Sequence, residues 1–129
     1  MTGVQTCALP ILKVVMLEPN KPAYVKEIGN DLDSMQEIVE GYIEIIYPFE
    51  DDNIGLVCNE EGKINGFPLN RAISANGKII DVIAGNAFIC DCSEDELQSL
   101  SPVLIDKYLD KFEEPERFAM VNGKIVVIK

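Results

Sequence analysis

The stretch YIEIIYPFEDDNIGLVC, residues 42–58, decides the fold. It contains two runs rich in β-branched and aromatic residues, Tyr42 to Phe49 and Ile54 to Cys58, on either side of the polar triplet Asp51-Asp52-Asn53. Such runs are typical of strands, and a short polar segment is typical of the turn between them. The stretch therefore predicts two strands joined by a tight turn.

Similar patterns continue on both sides of this stretch. Strands are predicted at residues 12–17 and 23–28. Asn30 or Asp31 is suited to cap a helix over about residues 33–40, after which Gly41 follows as the C′ glycine. Residues 79–89 predict one long strand, which Gly85 interrupts as a bulge.

The C-terminal part adds helices and hairpins. Ser93 to Glu96 has the pattern of a capping box that opens a short helix, and Ser101-Pro102 starts another that ends near Phe112. The pairs Asn65-Gly66, Asn76-Gly77 and Asn122-Gly123 favour hairpin turns. We predict one α+β domain over residues 12–129, mainly antiparallel sheet with two or three short helices and a C-terminal hairpin at 117–129.

Composition narrows the function. The chain has 129 residues, of which 47% are hydrophobic, and no apolar run approaches the roughly 20 residues of a membrane span. It has no histidine, which excludes histidine general bases, Cys-His pairs and zinc-histidine sites. We predict no enzyme activity, no metal and no cofactor, although a carboxylate-based Mg²⁺ nuclease stays open as an alternative.

The cysteines indicate a reducing compartment. Cys7 lies apart from the predicted domain, while Cys90 and Cys92 form a C-x-C pair too close for an ordinary disulfide if both point the same way along a strand. We therefore expect free thiols and a cytoplasmic protein.

Residues 1–11, MTGVQTCALPI, resemble the in-frame translation of a short-read sequencing adapter. They lack the basic segment that opens a signal peptide. We interpret them as a non-native segment and expect the natural protein to start near Leu12, in a gene assembled from metagenomic reads.

The charges are unevenly distributed along the chain, whose net charge is −11. Residues 27–61 contain eleven acids and no base, whereas Lys63, Arg71 and Lys78 lie in a segment without acids before Asp81. The acidic block indicates either a solvated face or a mimic of nucleic-acid phosphates, and it disfavours direct nucleic-acid binding.

Residues 12–112 resemble the domain-of-unknown-function family numbered 3846, which occurs in bacteriophages, plasmids and other mobile elements. The segments that carry the resemblance are KVVMLEP (13–19), YVKEI (24–28), GYIE (41–44), CNEEGK (58–63), PLNRA (68–72) and DVIAG (81–85). The resemblance implies an accessory protein of a mobile element, a class that often antagonises host defence, but it implies no activity.

The segment around residues 59–78 is the predicted ligand site, since its glycines expose backbone N–H groups and its asparagines can pair with a base edge. Arg71 offers a fork for phosphate, with Glu44 or Asp81 as its ion-pair partner, and Tyr42, Tyr47 or Phe67 can stack on a base. The candidate ligand-binding residues are Tyr42, Glu44, Asn59, Lys63, Asn65, Asn70, Arg71 and Lys78. The alternative is that these are only turn residues and a structural ion pair.

Two functions follow as hypotheses. The first is an anti-defence protein that binds and sequesters a nucleotide-derived immune signal, such as a cyclic nucleotide. The second is an acidic protein inhibitor, a DNA mimic or a direct blocker of a host defence or restriction enzyme. In both cases we expect a homo-oligomer, because the C-terminal hairpin offers an exposed edge for pairing.

Overall fold

A computed structural model of the chain describes residues 11–75, 77–93 and 96–128, with the backbone alone at Ala75. Nine strands and two helices occur in this part of the chain. In order they are β1 (Ile11–Leu17), β2 (Tyr24–Gly29), α1 (Leu32–Val39), β3 (Ile43–Ile46), β4 (Ile54–Asn59), β5 (Leu69–Ala75), β6 (Lys78–Ala84), β7 (Ala87–Asp91), α2 (Pro102–Lys111), β8 (Arg117–Val121) and β9 (Lys124–Ile128).

Five strands form an antiparallel sheet in the order β2-β1-β7-β4-β3. The predicted pair at residues 42–58 is present as β3 and β4, with Glu44 opposite Cys58. Strand β4 is buried along its whole length, as expected for a strand covered on both faces. Strands β5 and β6 form a separate two-stranded ribbon, as do β8 and β9.

The two faces of the sheet hold two apolar clusters, because alternate residues of a strand point to opposite sides. On β1, for example, Val14 and Met16 belong to one cluster, and Val15 and Leu17 to the other. Helix α1 covers the first face through Met35. Helix α2 and the β5–β6 ribbon cover the second, which we call the α2 face. The α+β class with a mainly antiparallel sheet is confirmed.

Helix α1 begins as predicted, because the Asp31 carboxylate accepts a hydrogen bond from the Ser34 N–H at 2.8 Å. Its end differs from the prediction. Glu40, with φ 61°, takes the left-handed conformation that was expected of Gly41. The Gly41 N–H donates to the Gln36 carbonyl at 3.1 Å, which closes the last turn.

The prediction of one long strand at 79–89 is wrong, because the chain leaves one sheet and enters another at Gly85 and forms two strands, β6 and β7. Gly85 has φ 82°, and its N–H donates to the Pro68 carbonyl at 2.7 Å. Before it, β6 pairs with β5, and after it, β7 enters the centre of the main sheet. The β5–β6 ladder is irregular at other places, with a bulge on β5 where the register shifts between Leu69 and Arg71, and a second shift between Ile73 and Ser74.

The C-terminal hairpin is confirmed, with Asn122 at φ 51° and Gly123 at φ 77° in its turn. Asn65-Gly66 does not join paired strands, because it lies in a helical turn where the Asn65 N–H donates to the Glu61 carbonyl at 2.9 Å. Asn76 lies outside the described residues.

Two further predictions concern segments that are described only in part. Of the predicted capping box, residues 94 and 95 lie outside the described residues. Residues 96–100 are not helical, and Gln98 bridges to Asp91. Residues 1–10 are likewise outside, while Ile11 is the first residue of β1 and pairs with Gly29. None of the described helices has the length and hydropathy needed to span a membrane.

Candidate functional site

Arg71 has no exposed surface and is held by backbone carbonyls. Its Nη1 donates to the Glu18 carbonyl at 3.3 Å, and its Nη2 donates to the carbonyls of Lys21 at 2.7 Å and Phe112 at 3.0 Å. The guanidinium therefore ties the β1–β2 loop and the C-terminal end of α2 to β5. A cation at the end of a helix also opposes the helix dipole.

The predicted ion-pair partners of Arg71, Glu44 and Asp81, do not contact it, since carbonyl oxygens take their place. Burial lowers the pKa of the guanidinium, and the negative charge of Glu116 opposes that shift. Both terminal nitrogens already have acceptors, so the predicted free fork for phosphate is absent. Nε has no hydrogen-bond partner among the described residues.

Asn70 is the extra residue of the β5 bulge, and it is fully buried. Its Nδ2 donates to the carbonyls of Leu17 and Gly85, each at 2.8 Å, and its Oδ1 accepts from Arg71 Nη1 at 2.9 Å. All three hydrogen bonds stay within the protein. Asn70 therefore holds the junction between the ribbon and the main sheet and has no donor left for a ligand.

Asn59 closes the C-terminal end of α1. Its Nδ2 donates to the carbonyls of Val39 at 3.0 Å and Glu40 at 3.2 Å, and its Oδ1 accepts from the Glu61 N–H at 2.7 Å. These contacts supply donors to helix carbonyls that would otherwise lack partners. The structure gives Asn59 a structural role.

Lys63 pairs with Asp81 at 2.7 Å in a half-exposed ion pair. Together with Glu44, Glu60 and Glu61, this pair lines a cavity of about 140 Å³ that is bordered by residues of β3, β4 and β6. The cavity therefore has four carboxylates and one amine. An anionic ligand would be repelled there, so the predicted site around Lys63 does not suit a nucleotide phosphate.

The remaining predicted residues do not come together. Tyr42 is 71% exposed, and Asn65 and Lys78 are exposed. Tyr47 is exposed on the α1 side of the sheet, where it adjoins Cys92. Phe67 packs against Gly85, where it leaves no room for a Cβ.

Two adjoining cavities on the α2 face form a better site, which we call the α2–β5 cleft. Their volumes are about 240 Å³ and 470 Å³, and both are lined by Phe49, Ser74 and Lys111. Arg71 lines the smaller cavity, and Lys107 lines the larger. The sequence shows Lys107 and Lys111 four residues apart on one helix face, a signal that points to a basic patch on α2.

Packing around Phe49 shapes the cleft. The Phe49 ring lies 4.8 Å from that of Tyr108 and 6.1 Å from that of Phe112, measured between centroids. Asp51, in the β3–β4 turn, accepts from the Tyr108 hydroxyl at 2.6 Å and from Lys107 Nζ at 2.7 Å. These two hydrogen bonds lower the pKa of the Asp51 carboxyl. The turn is thereby attached to α2, and Phe49 is held at the mouth of the cleft.

The chain belongs to the family described as Domain of unknown function (DUF3846), whose model matches residues 12–113. The match covers the main sheet, both helices and the β5–β6 ribbon, and it ends before β8. No curated protein and no solved structure matches the chain. Among the described residues there is no group of three or more side chains placed to hold a metal ion.

Proposed function

We propose that the α2–β5 cleft binds a small anionic ligand with an aromatic base, a nucleotide or cyclic nucleotide, and that the protein acts by sequestering it. The observation that carries this proposal is the composition of the cleft. A chain of net charge −11 places Arg71, Lys107 and Lys111 beside three aromatic rings around adjoining cavities.

The charges of the cleft favour an anion there over the cavity at Lys63. Of its three bases, Arg71 donates to backbone carbonyls and Lys107 pairs with Asp51, so Lys111 is the base that the cleft offers to an anion. The acids that line the cleft are Glu50, Glu114 and Glu116. Glu116 is engaged, since its carboxylate accepts from the Ala72 N–H at 2.8 Å. By contrast, the cavity at Lys63 has one base against four acids.

The shape of the cleft also suits this ligand class. The larger cavity, about 470 Å³, lies within the range of about 300–1,000 Å³ that is common for small-molecule sites. Phe49 lines both cavities and offers a ring on which a base can stack. Lys111 lines both as well, which places its amine within reach of a phosphate.

A sequestering protein needs tight binding of its ligand and requires no catalytic group. We place this activity in the cytoplasm of a bacterial cell that contains a phage or another mobile element. There, removal of a nucleotide immune signal would blunt host defence.

We also propose that the active form is a homodimer in which the β8–β9 hairpin docks on a second copy of the chain. An isolated two-stranded hairpin is marginal in water, and this one exposes apolar side chains. They are Met120, Val121, Ile125, Val126 and Ile128, which are 36–66% exposed. Residues 117–129 contain three bases and no acid, so all 22 acids lie elsewhere, and the hairpin is complementary in charge to the body of a second copy.

The alternative, an acidic protein inhibitor, stays a prediction with less geometric support. A DNA mimic needs its carboxylates in one stripe. Asp33, Glu37 and Glu40 belong to α1 and its end, on one face of the sheet. Glu44 and Asp51 lie on the opposite face, where Glu44 adjoins Cys58 and Asp51 binds α2.

Thermal unfolding against a panel of nucleotides and cyclic oligonucleotides tests the sequestration proposal. A ligand at 100 times its dissociation constant stabilises a protein by about 2.7 kcal/mol. That gain raises the Tm of a domain of this size by roughly 10 °C. We expect Lys111→Gln to raise the ligand concentration needed for a given Tm shift at least tenfold. Lys63→Gln makes the same charge change in the cavity at Lys63, and it is expected to leave that concentration unaltered.

The outcomes are distinct. Loss of the shift in Lys111→Gln alone supports the cleft. Equal effects of both substitutions would place the ligand elsewhere, and no shift with any member of the panel at millimolar concentration would overturn the proposal.

A further inference from the structure

Two thiols lie side by side on the face of the sheet that α1 covers. Cys90, on β7, is fully buried, and Cys92, just after the strand, is half-buried. Their sulfur atoms are 3.9 Å apart. Both thiols are free, as predicted, and they share one face because residues two apart on a strand point the same way. The expectation that such a pair is too close for an ordinary disulfide does not hold, since two extended residues span roughly 6.6 Å between Cα atoms, within the range that disulfides bridge.

The β3–β4 segment holds Cys92 in this position. The Cys92 N–H donates to the Asn53 carbonyl at 2.6 Å. Gly55, which pairs with Cys90, leaves the space for the second thiol, because a Cβ at Gly55 would lie 2.8 Å from Cys92 Sγ. The same Cβ would lie 3.5 Å from the Tyr47 ring, so the ring and the thiol share the space above this glycine.

The two thiols differ in acidity. The hydrogen bond from Cys90 lowers the pKa of the Cys92 thiol to about 7, aided by Tyr47 and opposed by burial. The neighbouring Cys92 and burial raise the pKa of Cys90. Burial also raises the pKa of Cys58, on β4, to about 11. At neutral pH the thiolate is therefore on Cys92, and the thiolate is the nucleophilic form.

We propose that Cys92 and Cys90 are a reversible redox pair, in which a hydroperoxide oxidises Cys92 and Cys90 then closes a disulfide. In the first step the Cys92 thiolate attacks the outer oxygen of ROOH. An S–O bond forms, the O–O bond breaks, and the alkoxide leaves as ROH after taking a proton from water. Cys92 becomes a sulfenic acid.

In the second step the Cys90 sulfur attacks the Cys92 sulfur. The S–S bond forms, the S–O bond breaks, and the leaving hydroxide combines with the Cys90 proton as water. Overall, two thiols lose two electrons to one peroxide. The sulfur atoms must approach from 3.9 Å to about 2.05 Å. The backbone of Cys92 is held by Asn53, but its half-buried side chain, beyond the end of β7, has more room to turn than that of the fully buried Cys90.

The experiment uses the full chain with Cys7→Ser, so that only the three described cysteines remain. The protein is treated with a slight excess of hydrogen peroxide, trapped with N-ethylmaleimide and weighed by intact mass spectrometry. We expect the oxidised protein to be lighter by two hydrogens and to take up two fewer maleimide groups, and dithiothreitol to reverse both changes. Peptide mapping then locates the Cys90–Cys92 bond. Adding Cys58→Ser, the matched control, is expected to leave this result unchanged, and adding Cys92→Ser to abolish it.

A second measurement needs no variant at position 92. The rate of alkylation of each cysteine is followed by peptide mapping as the pH rises. Cys92 is expected to react first, with a half-point near 7, while Cys58 stays unreactive until much higher pH. The proposal is overturned if Cys92 reacts no faster than Cys58, or if peroxide yields no Cys90–Cys92 bond in the folded protein.

Discussion

Replacement of Arg71 by methionine tests whether this buried side chain is a structural clasp. The substitution keeps much of the apolar volume but removes every donor of the guanidinium. The carbonyls of Glu18, Lys21 and Phe112 then lose their Arg71 donor. Each buried carbonyl left without a donor costs roughly 1–3 kcal/mol.

We expect the Arg71→Met substitution to lower the free energy of unfolding by about 4 kcal/mol, toward the lower end of the sum because water from the adjoining cavity can reach some of these oxygens. That is a large fraction of the ~5–15 kcal/mol typical of a domain. In urea, with a slope of about 2 kcal/mol per molar, the unfolding midpoint falls by about 2 M.

The matched control is Lys63→Met, which also removes a cation but from the half-exposed pair with Asp81. Exposed ion pairs contribute about 0–1 kcal/mol, so its midpoint is expected to stay within about 0.5 M of the wild type. Circular dichroism follows both transitions. If the free energies of unfolding of Arg71→Met and Lys63→Met differ by less than about 1 kcal/mol at an unchanged slope, the hydrogen bonds from Arg71 to the carbonyls do not stabilise the fold, and the reasoning fails.

Two other predictions concern the attachment of the β3–β4 turn and the assembly of the protein. Because the pKa of Asp51 is lowered from 3.8 in the folded state, its contribution is complete above that value and is lost as the pH falls through the folded pKa. The stability difference between the wild type and Asp51→Asn should therefore shrink in urea titrations as the pH is lowered below 3.8. For the hairpin, Val126→Lys is expected to convert the dimer to a monomer in sedimentation equilibrium, and Val103→Lys, on the exposed side of α2, is not. A wild-type protein that stays monomeric at about 100 μM would contradict the dimer, since the Kd would then exceed this concentration.

Local signals predicted most of the elements. The short apolar run within residues 12–17, the Asp31 cap and the Asn122-Gly123 turn depend on neighbours within a few residues, and all three are confirmed. The change of sheet at Gly85 could not be predicted in this way. An isolated glycine in a strand pattern is compatible with a bulge or with a corner, and the choice depends on the distant Pro68 carbonyl.

The site was harder to predict for the same reason. Asn59 and Asn70 have the side chains of turn or ligand-binding residues, but their amide groups donate to backbone carbonyls that are remote in sequence. Asn70 binds the Leu17 carbonyl, 53 residues away, and Arg71 reaches Glu18 at the same separation. Composition identified groups capable of hydrogen bonding, and only the topology shows that the protein itself uses those hydrogen bonds.

The same topology makes the two proposals independent. The cleft lies on the α2 face, whereas the thiol pair lies on the face covered by α1, and the sheet separates them. Arg71 cannot test ligand binding, because its loss is expected to affect the fold before it affects the cleft. Lys111 can, since its amine lines the cleft and is outside the clasp. A loss of ligand in Lys111→Gln with the peroxide chemistry unchanged would therefore assign binding to one face and redox chemistry to the other.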